Sequence, residues 1–589
     1  MASKDKASNS KWLSTHSLLQ VSLMTLLSRI LGQGRITLWA SLLATSPYAD
    51  SFYIAIKLPS MLRAYFAEGA MNSALVPFYT RLLSKKNAEV RRAFVKKLVI
   101  FLASVFLVLY LSVLLFSSYL AKFYYILSAK ADFYDLPSRL SYTADLIELA
   151  FPYLFFISFV SLIASILQSH GFVRPMAFNP IVFNIANLVL GLFILFQLSY
   201  DQGQIARWLT IVFVLAGVFQ FLHIVWSLRI LKKNDLEKSE DEKLADEKLA
   251  DEKSDLEDLS NSALKAGKVE KAKNGEVSLK SFFKKFSPIV FSSMVHHINI
   301  FLIDPIALSL GGGSVALLFY SNRLLELPLG LLVFPLSMVA LPHLAKLLRE
   351  NKRKIFEQNI SYAFSLLTLF LLPVMIISIY YRYEIISIVF QFGSFSESDV
   401  ELTAQTFFFH ALALPFLATY RLLATVFYSF QSVRYPVYAA FISLIFSLGL
   451  SYGLTIFFPS VTMIAFASTL ATFFSASYLV FAAKKNLDIH LLKMLFKKVF
   501  FYIGIAVIPF VFTELMTRIL RLGIAEIFLA TDNFWLKKFI LLAELGFFSV
   551  FFLLFYLIFL HTLKQPDFLT FLSSLRDREN RGVVDSNKR

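Results

Sequence analysis

The chain has 589 residues, of which 57% are hydrophobic and only 16% charged, too apolar a composition for a soluble multidomain protein and one that fits a polytopic membrane domain. Its net charge of +17 needs no nucleic acid to explain it, because polytopic proteins gather lysine and arginine in their cytoplasmic loops. The absence of cysteine excludes disulfides, thiol catalysis and cysteine-ligated metals.

Fourteen apolar stretches fill nearly all of the chain, at residues 17–44, 49–80, 97–120, 147–170, 176–200, 206–231, 283–310, 314–345, 360–382, 402–430, 435–457, 461–483, 498–520 and 536–562. Each is near the ~20 residues that cross a bilayer as a helix. The start, MASKDKASNSKWLSTHS, is polar and no small-residue cleavage site follows, so stretch one is expected to stay as a transmembrane helix. Basic clusters lie between stretches two and three (Arg81 to Lys97), eight and nine (Lys346 to Lys354), and twelve and thirteen (Lys484 to Lys498). Alternate loops, such as ATSPYAD at 44–50 and FSESDVE at 395–401, lack such clusters. The positive-inside rule then puts both termini in the cytoplasm, which an even number of spans allows.

Stretch one carries Arg29 and Arg35 with Gly32 and Gly34 between them. An arginine at membrane depth costs roughly 2.5–3.5 kcal/mol even on the lenient insertion scale, so something polar is expected to meet these side chains. On a regular helix the two are about 120° apart in azimuth and ~9 Å apart along the axis, and they reach one cavity only if the helix bends, which the glycines permit. Stretch two carries Asp50, Lys57, Pro59, Arg63 and Glu68. Pro59 removes a backbone hydrogen bond and is expected to kink the helix. Asp50 and Lys57 lie toward one end, where an interfacial place and a gating role both remain open. Arg63 lies deeper; pairing with Glu68 is one role, and lining a cavity is the one we favour.

Residues 232–282, with the run DEKLADEKLADEKSD at 241–255, are too charged and too poor in aromatics to form a core, although the LADEK units suit a solvated helix. They read as a cytoplasmic linker. In stretch seven, His296, His297, Asn299 and Asp304 are better suited to interhelical hydrogen bonds than to a metal, because adjacent histidines point about 100° apart on a helix. Stretch eight offers Asn322, Arg323 and Glu326; Arg323 and Glu326 share a helix face, and an arginine held by one carboxylate keeps free donors for a phosphate. His170, His410 and Arg421 have no single reading.

The two halves look related. SHGFVRP at 169–175 returns as SFQSVRYP at 429–436, and residues 58–83 resemble 325–348. Duplicated six-helix units are a signature of transporters that bind substrate between repeats, and an even number of spans per half makes these repeats parallel. The expected organisation is an N-terminal lobe (1–231, helices one to six), the linker (232–282), a C-terminal lobe (283–485, helices seven to twelve), and a last pair of helices with a cytoplasmic tail (486–589). No phosphate loop GxxxxGK[ST], no HExxH and no soluble catalytic domain is present, so no cofactor or ATP hydrolysis is expected and an ion gradient, the membrane potential or substrate flux would supply energy.

SRILGQGR (28–35), ADSFYIAIKLPSMLRAYFAEGAMNSALVPFY (49–79), YSNRLLELPLG (320–330), FQFGSF (390–395) and FYSFQSVRYP (427–436) resemble, in order and spacing, the MurJ/MviN family of lipid II flippases within the multidrug/oligosaccharidyl-lipid/polysaccharide exporter superfamily. The resemblance runs from stretch one to about stretch twelve. It implies an all-α fold of fourteen transmembrane helices, two six-helix lobes about a central cavity, and two extra C-terminal helices forming a lipid groove. It also implies a transporter, not an enzyme, of the bacterial inner membrane that moves undecaprenyl-diphosphate-linked peptidoglycan precursor to the outer leaflet. The family's cavity arginines fall on Arg29, Arg35, Arg63 and Arg323, and Asp50 and Glu326 match acidic positions common in the family; with Lys57, Glu68 and Asn322 these two are expected to be supporting or gating residues. Partners would be lipid II, membrane lipids and other cell-wall synthesis proteins. Departures are Ile36 and Asn322, where the family usually has acids, and Ala64, where a basic residue often follows the arginine.

Two other readings stay open: an exporter of another lipid-linked oligosaccharide such as an O-antigen unit, and a multidrug or cation antiporter. The arginine excess opposes a cation site. A membrane-embedded glycosyltransferase would need a large outer domain, and no outer loop is long enough.

Overall fold

The computed structural model describes residues 15–66, 75–76, 78–80, 82–83, 88–127, 136–170, 172, 174–196, 201–252, 298–333, 336, 344, 347, 350, 352–430, 432–487, 491–530, 533–570 and 572–573. Among these every regular element is a helix. In chain order they are α1 (Thr15–Leu43), α2 (Pro47–Phe66), α3 (Ala88–Tyr125), α4 (Leu136–Ala150), α5 (Pro152–Ser169), α6 (Arg174–Leu195) and α7 (Gln202–Glu252). They continue with α8 (Ile298–Leu308), α9 (Ser314–Pro328), α10 (Arg353–Tyr380), α11 (Arg382–Phe390), α12 (Glu397–Leu412), α13 (Leu414–Ser429), α14 (Arg434–Phe457), α15 (Val461–Leu487), α16 (Leu491–Ala530) and α17 (Phe534–Thr562).

Ten helices among the described residues are long and apolar enough to cross a membrane, or eleven if the pair α12 and α13, bent by 41°, is one span. Pro415 stands in the first turn of α13, and Pro152 likewise opens α5, so each proline restarts a helix where its missing N–H costs nothing. Expected stretches two, seven and eight each run into residues outside the described set, as do Glu68, His296 and His297. α7 runs on to Glu252, so the first part of the charged segment continues that helix.

The chain divides into two compact units. The first holds residues 1–38, 54–121 and 137–294, and the second holds 39–53, 122–136 and 295–589. In the first unit α7 packs against α5 and α6 around Tyr153, whose ring lies 4.2 Å from that of Phe213 and 5.6 Å from that of Phe183. Gly217 makes room for it: a Cβ there would come within 2.7 Å of the Tyr153 ring.

In the second unit one apolar core joins Phe356, Leu423, Phe427 and Leu479 from α10, α13 and α15. Another joins Leu369, Tyr381, Tyr502, Phe548 and Tyr556, and so binds the last two helices to α10 and α11. Two lysines complete that attachment. Lys498 of α16 reaches Ser361 Oγ (3.1 Å), Ser365 Oγ and Asp567 Oδ2 (3.1 Å). Lys538 of α17 is buried and donates to Ser387 O (2.5 Å), Ser387 Oγ (2.7 Å) and Gln391 Oε1 (2.9 Å), with the Phe392 and Phe534 rings beside it. Three acceptors match the three N–H groups of an ammonium, which is how this buried charge is tolerated.

Lys538→Met keeps the apolar stem and removes all three bonds. Charged hydrogen bonds contribute about 1.5–3 kcal/mol each before reorganisation, so the purified variant should unfold several degrees below the wild type in a detergent melt. An unchanged melt would show that the apolar core alone holds α17.

Candidate functional site

α1 is unbroken from Thr15 to Leu43, so its two glycines do not interrupt the helix. Its contact with α6 is set by a repeat of small and polar groups. Asn184 Nδ2 donates to Ser28 O at 2.8 Å, and a Cβ on Gly191 would come within 2.8 Å of Leu38 Cδ2, so α6 approaches α1 closely at both levels. Between them the Arg35 guanidinium lies 4.9 Å from the centre of the Phe183 ring, a cation–π contact that steadies the charge without neutralising it. Arg29 and Arg35 are both half-buried. Ile36, which takes a place usually acidic in the family it resembles, is fully buried, so no carboxylate neighbours Arg35 at that position.

α2 continues through Pro59 and places Lys57 and Arg63, both half-buried, in the first unit. Trp39 and Phe52 pack edge to face at 5.0 Å near the α1–α2 turn. Arg29, Arg35 and Arg63 belong to the first unit and Arg323 to the second.

Asp50 has a different position from these. It is 1% exposed, and its two carboxylate oxygens accept from the backbone N–H groups of Gly313 (2.6 Å) and Ala316 (2.9 Å) at the start of α9. A carboxylate over the first N–H groups of a helix satisfies donors that have no partner within the helix and faces the positive end of its dipole. Asp50 therefore caps α9 from across the sequence, a structural tie more specific than an interfacial residue would make.

The whole α1–α2 turn is seated in the same way. α1 ends at Ala44, whose φ of 51° is left-handed, and Ser46 caps α2 by accepting from Ala49 N (3.1 Å) with Pro47 next in line. Ala44 O accepts from the Tyr320 hydroxyl (2.8 Å), Thr45 Oγ1 donates to Asp399, and Ser41 O accepts from Ser394 N (2.8 Å). Two glycines allow the backbones to meet: a Cβ on Gly313 (φ +88°) would lie 1.8 Å from Thr45 O, and one on Gly393 (φ +56°) 2.4 Å from Ser41 O. Beneath the turn lies an aromatic floor in which Tyr53 stacks on Phe319 at 4.1 Å and Tyr320 packs on Tyr53, Phe390 and Phe395. All of these groups belong to the second unit.

α9 then presents its polar face. Arg323 and Glu326 form the ion pair that their spacing predicts, with side chains 34% and 53% exposed, and Asn322 is exposed as well. One carboxylate occupies one edge of the guanidinium and leaves further N–H donors on the fork. Ser321, on the buried side, hydrogen-bonds His410 Nδ1 at 2.9 Å, which makes that histidine an interhelical tie. α9 passes at Pro328 into a π-helical turn, Leu329–Val333. Glu68 lies outside the described residues. The residues that sequence reasoning passed over are the seat itself: Gly313, Gly393, Tyr320, Thr45 and Asp399. The visible signals were GGGS at 311–314 before a helix, and S-x-x-D at 396–399, which forms a capping box.

A helical membrane chain that carries arginines inside its spans and interlocks its first hairpin with a later helix start is a polytopic transporter. Its fold is shared with a solved multidrug resistance MATE family transporter of the MOP superfamily in an inward-facing conformation (TM-score 0.60, 12% identity, 78% of this chain and 94% of that one). It is also shared with a solved lipid II flippase MurJ in an inward closed conformation (TM-score 0.66, 22% identity, 93% of this chain and 100% of that one). A probable lipid II flippase MurJ of Buchnera aphidicola subsp. Acyrthosiphon pisum is 26% identical over 431 residues, 73% of this chain and 76% of that protein. Residues 39–530 match the family model described as lipid II flippase MurJ, and the chain belongs to that family.

Gly313→Ala should be more damaging than Asp50→Asn. The alanine would press its Cβ into Thr45 O and force a left-handed φ, whereas asparagine keeps one acceptor over α9 and forfeits about 1–2 kcal/mol of charge–dipole attraction. Because the chain has no cysteine, a Thr45→Cys probe reports alone: maleimide labelling should rise strongly with Gly313→Ala and modestly with Asp50→Asn. Equal labelling in all three backgrounds would contradict the seat.

Proposed function

We propose that this chain is a lipid II flippase that carries the undecaprenyl-diphosphate-linked peptidoglycan precursor from the inner to the outer leaflet of the bacterial cytoplasmic membrane by alternating access. The observation that carries the reading is the family match over residues 39–530. The chemistry supports it. A diphosphate brings about two negative charges, and convergent guanidinium groups in a partly desolvated site are the best complement to them, because each offers a planar fork of donors. Arg29, Arg35, Arg63 and Arg323 take that role in the proposal, Arg35 held against Phe183 and Arg323 oriented by Glu326.

Both termini are cytoplasmic in this reading, which puts the α1–α2 turn on the outer side. The seat of that turn on α9 then acts as the outer gate, with Asp50 as its central tie, and outward release of the headgroup requires the turn to leave the seat. Lys57, Glu68 and Asn322 serve as supporting positions. The polyprenyl tail stays in lipid beside α16 and α17, and the membrane potential or an ion gradient supplies direction. Other cell-wall synthesis proteins would deliver and consume the substrate.

In cells depleted of this protein, outer-leaflet lipid II should fall and should return with the wild type. Arg63→Ala, at equal membrane level, should restore less than about a tenth of it, the loss expected for one or two charged hydrogen bonds. Outer-leaflet lipid II that does not change on depletion would contradict the proposal.

A further inference from the structure

Several shielded amide side chains of the first unit, Gln168, Asn179, Asn187 and Gln220 among them, leave only their oxygen unmet, and among the described residues one leaves both ends unmet. Asn184 Nδ2 donates to Ser28 O, Asn187 Nδ2 to Phe183 O (2.9 Å), and Gln220 Nε2 to Asn179 O (3.2 Å), so each spends its NH2 on a backbone carbonyl. Gln33 does not. Among the described residues, both its Oε1 and its Nε2 are shielded from solvent and neither has a hydrogen-bond partner. Leaving one buried polar group unmet costs about 1–3 kcal/mol, and Gln33 leaves two.

Its place on α1 says what the amide is for. Ser28, Gly34, Arg35 and Leu38 form the side of the helix that meets α6, through Asn184, Leu188, Phe183 and Gly191. Gln33 follows Arg29 by four residues, so the two side chains project within ~40° of each other and ~6 Å apart along the axis, turned away from the α6 contact. An arginine and an unsatisfied amide thus share one face, one helical turn apart.

We propose that Gln33 is a substrate-binding and specificity-determining residue, which pairs with an amide group of the translocated headgroup while Arg29 holds the neighbouring phosphate. A phosphate only accepts hydrogen bonds and would leave Gln33 Oε1 unmet. An amide both donates and accepts, and matches the two ends of a glutamine side chain at once. Lipid II carries its diphosphate on an N-acetylated sugar, which puts an acetamido group within a few ångströms of the phosphates. The proposal rests on the flippase reading of Arg29 and adds to it the part of the headgroup that is recognised beyond charge.

The test measures binding of two probes, lipid II and undecaprenyl diphosphate, to the purified full-length protein in lipid nanodiscs, for the wild type, Gln33→Met and Arg29→Ala. Methionine matches glutamine in length without its polar ends. Gln33→Met should weaken lipid II about 5–30-fold, the worth of two ordinary hydrogen bonds, and change undecaprenyl diphosphate by less than about twofold. Arg29→Ala should weaken both. Normal lipid II binding by Gln33→Met beside a defective Arg29→Ala would overturn the role of Gln33 and leave the arginine site standing. Equal loss of both probes in Gln33→Met would also overturn it, by showing a structural role. Wild-type affinities in both variants would remove the arginine reading and this proposal together. Should Gln33→Met fail to reach the membrane, the wild type decides alone: it should prefer lipid II by a similar factor over an analogue with hydroxyls in place of the acetamido groups, and equal affinity would count against the proposal.

Discussion

The structure depends on a carboxylate set over the start of a helix. Asp50 lies in the first turn of α2, and the N–H groups it accepts from, Gly313 and Ala316, begin α9 more than 260 residues later. In a chain with so little polar surface, the first N–H groups of a helix have few sources of partners, and a carboxylate is the strongest of them. The bond works only because Gly313 has no side chain, since any Cβ there would occupy the position of Thr45 O. Gly393 has the same part against Ser41 O. Two glycines and one aspartate therefore fix where the turn at residues 39–53 lies within the second unit, and the aromatic floor of Tyr53, Phe319 and Tyr320 gives that contact its apolar area.

A contact of this kind suits a gate better than an oily one of the same size. Backbone-to-backbone closeness is all or nothing, because a shift of an ångström breaks several hydrogen bonds together, while the freed groups can be met by water once the turn lifts away. The arginines pose the opposite problem. Each is costly at membrane depth on its own, and the chain accepts that cost at Arg29, Arg35 and Arg63 in one unit and Arg323 in the other. Phe183 beside Arg35 and Glu326 beside Arg323 lower it locally, and in the proposed flippase reading an anionic substrate adds to that stabilisation.

The helical spans were legible because apolar length is the plainest signal a membrane sequence carries, and so was the Arg323–Glu326 pair, which follows from a spacing of three on one helix. Asp50 was legible as a polar residue in an apolar setting, but its role was not, since its partners are backbone groups far along the chain and leave no mark in side-chain chemistry. Lys498 looked like one more loop cation, and Lys538 drew no reading from the sequence. Burial on Ser365, Asp567, Ser387 and Gln391 could be known only once α10, α11 and the last two helices were packed together. Gln33 gave even less notice: a single glutamine between two glycines is unremarkable until its neighbours are placed and none of them meets it.

The central claim is that the α1–α2 turn must leave its seat for substrate to pass. The most direct measurement is lipid II flipping by the Thr45→Cys/Asp399→Cys double variant, whose introduced thiols replace a hydrogen-bonded pair in an otherwise cysteine-free chain. Oxidation should cross-link the turn to α12 and stop transport, and reduction should restore it in the same sample. Undiminished flipping by the fully cross-linked protein would contradict the account.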